Sequence, residues 1–124
     1  MNSSLSQIGL LLLRVGFSGM LLTHGIPKLL KIIAGDFSFG DPLGIGPTTS
    51  LILACIAEVL FSILVILGFK TRLSTIPIII TMAVAAFIVH SADPFGVKEM
   101  SILYLIAFVA IALLGPGKYS VDKK

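Results

Sequence analysis

Leu5–Lys31, LSQIGLLLLRVGFSGMLLTHGIPKLLK, is the stretch on which the fold turns. It is apolar for longer than the ~20 residues, at ~1.5 Å each, that a helix needs to cross a bilayer. Yet it carries Arg14 near its middle and His24 near its far end. A guanidinium at mid-depth costs about 2.5–3.5 kcal/mol on insertion scales. That cost is sustained where the side chain points into a helix bundle and meets a partner. The stretch therefore calls for further spans packed around it.

Composition agrees. The 124 residues are 56% hydrophobic with a mean hydropathy of +1.10, more apolar surface than a soluble domain of this length can hide. The net charge of +3 comes from scattered basic residues, which read as positive-inside anchors rather than as a nucleic-acid face. Cys55 stands alone, so the chain has no intrachain disulfide and no CxxC couple. No basic run precedes the first apolar stretch, Arg14 interrupts it and no small-residue cleavage pattern follows, so it is expected to stay in the mature protein.

Three more apolar runs follow. Spans are expected at about 5–26, 49–68, 73–91 and 98–114, giving an all-α, integral membrane four-helix bundle that forms one domain over 1–124. Pro27 sits where the first helix kinks or stops, although Lys28–Lys31 still has helical character. The connector from Gly35 to Pro47 is rich in Gly and Pro. Its Phe37, Phe39 and Leu43 fit either a loop folded back on the membrane face or an ordinary amphipathic loop. Thr48, Thr49 or Ser50 is a fitting cap for the second helix, and Gly68 its stop. The short turn Phe69–Arg72 makes the second and third helices antiparallel neighbours. Glu99 is expected in the first turn of the fourth helix, where the dipole favours an acid. Both termini then share one side. Lys70, Arg72, Lys118, Lys123 and Lys124 lie there against Lys28, Lys31 and Lys98 opposite, a bias that puts both termini in the cytoplasm.

Helical rise gives the depth of each polar residue. Arg14 lies about 13 Å in from the terminal side, and Glu58 about 13 Å in from the other. In a core of ~30 Å the two come to nearly one level, so Arg14 and Glu58 are expected to form an intramembrane ion pair. The same arithmetic brings His24 and His90 together near the opposite face. Glu99, Lys28 and Lys31 are close to them in this scheme, and Tyr104 needs a hydrogen-bond partner if it faces inward. His24, Lys28, His90, Glu99 and Tyr104 thus make a candidate site for the head of a quinone, whose carbonyl oxygens need donors and whose reduction needs protons. No spacing points to a metal, and two histidines on separate helices are a weak basis for a haem. Gly16, Ser18 and Gly19, with Ala54, Ala57 and Ser62, are small enough for close packing between the first two helices.

Three stretches resemble the DoxX family of membrane proteins: RVGFSGMLLTHGIPKLLK at 14–31, AEVLFSILVILGFKTRLS at 57–74 and GPGKYSVD at 115–122. The resemblance keeps the order of the motifs over nearly the whole chain. It implies a small four-helix membrane protein. Some family members are subunits of a thiosulfate:quinone oxidoreductase, and others are associated with membrane redox or thiol-oxidant defence. The polar residues carried over by position are Arg14, His24, Lys28, Glu58, Glu99 and the 115–122 tail; His90 matches no motif.

Three functions compete. The first is an accessory, quinone-interacting subunit of a membrane redox system, at most an oxidoreductase subunit, acting with a redox partner. The second is a non-catalytic anchor, with Arg14–Glu58 as a lock and the tail from Lys118 and the first connector as contact surfaces. The third is a small transporter, which four helices without repeats would achieve only as a homo-oligomer.

Overall fold

A computed structural model describes residues 3–122. The N-terminal Met1 and Asn2, and the Lys123 and Lys124 counted in the charge bias, lie outside the described residues. Four helices are long and apolar enough to span a membrane: α1 (Ser4–Ile33), α2 (Pro47–Leu67), α3 (Thr71–Val89) and α4 (Phe95–Leu114). They pack in a ring in chain order, and α4 closes it against α1. This is an all-α membrane bundle. Among the spans, the side chains turned outward are large and apolar, Leu12, Ile80, Ile106 and Leu113 among them. The interior mixes Leu21, Val65, Ile78, Met82, Phe108 and Ile111 with buried Arg14, Ser18, Glu58, Ser62 and Thr75. Polar groups that lipid cannot solvate are thus turned away from the outer surface.

Each helix boundary has a local cause. Ser3 caps α1, its hydroxyl accepting from the Ser6 N–H at 3.1 Å. Pro27 does not end the helix, which continues to Ile33, seven residues beyond the expected Ile26. Tertiary packing outweighs the single backbone bond that proline forgoes. α2 starts at Pro47 rather than Thr49. Gly46 holds the cap position at φ 102° and proline occupies the first turn, where its missing N–H costs nothing. Ser50 is instead used in a tie to Asp41, whose Oδ1 also accepts the N–H groups of Ile45 and Gly46. Gly68 ends α2 in the left-handed region, as read from the sequence. α4 begins at Phe95, three residues early, so Glu99 falls beyond the first turn.

Two segments have π geometry, Ile56–Leu60 in α2 and Ala85–Val89 in α3. Such turns insert a residue into the helical ladder and are frequent at functional sites.

The chain's last described segment is part of the bundle. Gly115 and Gly117, both at positive φ, turn the chain beneath the helix ends. The N–H of Lys118 donates to Gln7 Oε1 at 2.8 Å, and those of Val121 and Asp122 to the carbonyls of Leu67 and Gly68. Asp122 in turn accepts the N–H groups of Lys70 and Thr71, at 2.9 and 2.8 Å, and so caps α3. The terminal end of the bundle is closed by this strap.

Candidate functional site

Arg14 and Glu58 do not pair. The Arg14 guanidinium donates to the carbonyls of Val65 and Ile66, in the last turn of α2, and to that of Tyr119 in the strap. Glu58 accepts from Lys28 Nζ at 2.9 Å. The physical reason is side-chain direction. Helical side chains lean toward the N-terminus of their own helix. On α1 that carries Arg14 toward the terminal end. On the antiparallel α2 it carries Glu58 the other way, toward the long connector. Lys28 leans back along α1 and meets it. Depths counted from Cα positions alone put Arg14 and Glu58 at one level, but their charged ends diverge.

Arg14 is therefore satisfied by a helix terminus. The last carbonyls of α2 carry the negative end of the helix dipole; that of Val65 also accepts the Gly68 N–H at 3.0 Å. Asp122 is the acid that acts on it electrostatically. The residue ties α1, α2 and the strap together.

Glu58 sits in the π turn of α2, and its side chain is 5% exposed. Close approach of α1 is secured by Gly25, where a Cβ would lie 2.8 Å from the Glu58 carbonyl oxygen and from Val59 Cγ2. Gly16 and Gly19, the glycines expected to give close packing, have open space around them. Lys28 Nζ also donates to the His24 carbonyl at 3.2 Å, which fixes the ammonium over the carboxylate.

These groups line a cavity of about 450 Å³ at the connector end of the bundle. His24, Lys28, Glu58, His90 and Tyr104 all contribute to its wall, with Leu21, Leu53, Ile80 and Met82 as apolar surface. The His24 ring meets Tyr104 edge-on, 5.8 Å between centroids, and Tyr104 stacks on Phe108 at 6.5 Å. His90 follows the π turn of α3 and stands at the rim, with Nδ1 2.8 Å from Asp93 Oδ2. Glu99 is a correction: it is exposed and not part of the lining. Glu99 lies five residues before the buried Tyr104, about 140° around the helix, and so faces outward.

Two features escaped the sequence reading. The π turns have no periodicity signal, and the Lys28–Glu58 pair is hidden by the thirty residues between its members. The connector reading left two forms open. In the structure Phe39, Pro42, Leu43 and Ile45 fold back as a roof over the cavity. Asp41 ties that roof to α2, and Lys31 ties its near end to Asp36 at 3.1 Å. Hydrogen bonds from the Ser38 hydroxyl and N–H, with Lys31, push the Asp36 carboxyl down to about 2. Among the described residues no group of three His, Cys, Asp or Glu side chains is placed to hold a metal.

The DoxX family profile matches residues 9–91, from Gly9 within α1 to Ser91 just past α3. The chain belongs to the DoxX family. His24, Lys28, Glu58 and His90 fall within the DoxX match; Tyr104 and the strap lie beyond it. A protein of Haemophilus influenzae (strain ATCC 51907 / DSM 11121 / KW20 / Rd), described as uncharacterized, is 29% identical over 123 residues, covering 90% of this chain and 87% of its own. No solved structure matches the chain.

Proposed function

We propose that this multi-pass DoxX-family protein binds a quinone in the connector-end cavity and serves a membrane redox system as an accessory subunit. One observation carries the reading: the donors Lys28, His24 and Tyr104 and the acid Glu58 converge on a mostly apolar chamber of about 450 Å³. Few polar groups on apolar walls are what an amphiphilic ring needs to be held in one orientation. A quinone offers a flat apolar ring and two carbonyl acceptors. Its reduction to the quinol takes up two electrons and two protons. Lys28 and Tyr104 are suited to donate to a carbonyl, and His24 and Glu58 to hold or pass a proton. The single cysteine leaves the chain without a dithiol relay, so electrons come from a partner subunit.

The anchor reading fares less well on its own terms. The strap it would use as a contact surface spends backbone groups of Lys118, Tyr119, Val121 and Asp122 on the bundle itself. We place the protein in the cell membrane with both termini cytoplasmic, because Lys70, Arg72 and Lys118 flank the terminal end while Lys28 is drawn into the cavity.

Extraction of the purified protein with organic solvent is the direct test. A bound quinone, and weaker binding of a decyl-tailed benzoquinone by His24→Ala, are expected. Finding no quinone, and no saturable binding of that probe by the unmodified protein, would dismiss the reading.

A further inference from the structure

The cavity has a side as well as a roof. Toward the terminal end α2 and α3 pack closely through Phe61–Leu67. Toward the connector end they part: Pro47–Cys55 packs on α1, and Ala85–Val89 packs on α4. Leu53 on α2 and Ile80 on α3 flank the gap. Both line the cavity, and both are also on the outer surface of the bundle, 52% and 56% exposed. Val89 and Met100 are wall residues of similar exposure, but α3 and α4 pack on each other there, whereas α2 and α3 have parted beside Leu53. Ala54 and Val84, which also line the cavity, add only apolar surface there. Thr81, beside Ile80, has its hydroxyl bonded to the Pro77 carbonyl, and the connector roof covers another side of the cavity.

We propose that the gap between Leu53 and Ile80 is a lateral portal to the bilayer, which commits the site to a ligand with a long hydrocarbon tail. The ring rests against Lys28, His24 and Tyr104, and the tail runs out between α2 and α3 into the acyl chains. This deepens the quinone reading and rests on it. A tail gains little from the portal compared with lipid, since both are apolar. Its role is to let the head enter without passing the roof and without carrying the tail through water. A ligand with charged groups at both ends would have to desolvate one of them against apolar portal edges.

The test uses the full chain in lipid nanodiscs and a benzoquinone whose alkyl tail ends in a diazirine. Light fixes the tail end where it lies, and peptide mapping reads the position. A tail-less benzoquinone with the same head is the competitor, because it displaces site-bound probe but leaves probe dissolved in lipid untouched. The expected result is labelling of the peptides holding Leu53 and Ile80 that the competitor abolishes. Competitor-sensitive label on the roof at Phe39 and Leu43, or at the α3–α4 seam by Val89 and Met100, would overturn the portal and leave the quinone site standing. Label that the competitor never reduces would remove both.

Discussion

The two ends of this bundle handle buried charge in opposite ways. At the terminal end Arg14 is surrounded by carbonyls of α2 and of the strap, and the strap is packed tightly enough that a Cβ on Gly68 would lie 2.2 Å from that of Ser120. At the connector end Lys28 and Glu58 face each other beside a chamber, with two histidines and a tyrosine nearby. The first arrangement uses fixed backbone acceptors and is tightly filled. The second uses ionisable side chains and leaves space for a guest. Among the described residues, a buried charge is paired with another ionisable side chain beside a cavity at the connector end, and Arg14 is not in that position.

Removing Arg14 is the hardest blow to this contrast. Arg14→Met takes its donor away from the buried Ile66 and Tyr119 carbonyls, while that of Val65 keeps the Gly68 N–H, and should destabilise the protein by about 3–5 kcal/mol. Thermal unfolding in detergent reads this. The fraction that remains folded should bind the quinone probe normally, and a loss of binding in that fraction would erase the division between the two ends. Gly25→Ala comes next. Its Cβ would press the Glu58 carbonyl, so α1 and α2 must shift at a cost of about 1–3 kcal/mol. Here stability and probe binding should fall together.

Glu58→Gln is milder for the fold. The amide oxygen can still accept from Lys28, and Lys28 is partly exposed, so unfolding should move by no more than about 1 kcal/mol. Binding of the probe should weaken; unchanged binding would make the pair structural like Arg14. The smallest effect concerns the roof. Asp36 is held in its charged form, with its carboxyl pushed down to about 2 from the ordinary carboxylate value of 3.8. A depressed value in the folded state means its contribution is present above the unfolded value and is lost as pH falls through about 2. Hydrogen exchange at the Ser38 amide should therefore keep its protection from neutral pH to mildly acidic pH. Asp36→Asn should lower that protection without touching Arg14's end.

The residues that form the chamber were legible one at a time. His24, Lys28, His90 and Tyr104 each stand out as polar groups in apolar surroundings, and Glu58 as the acid of the second span. Glu99 has the right depth for the chamber but the wrong face, because it stands about 140° around α4 from the inward Tyr104. The strap was visible only as a resemblance, since nothing in GPGKYSVD says which carbonyls it will meet.

Hydropathy by itself determined four spans, an apolar exterior and an interior that had to solve the burial of a few charges, because lipid offers no alternative solvent. Tertiary structure alone decided which charge meets which group. Neighbouring antiparallel helices send their side chains in opposite directions, two π turns shift the register, and a glycine sets how closely α1 approaches α2. Those are properties of helices already packed together, and no one-dimensional count of residues contains them.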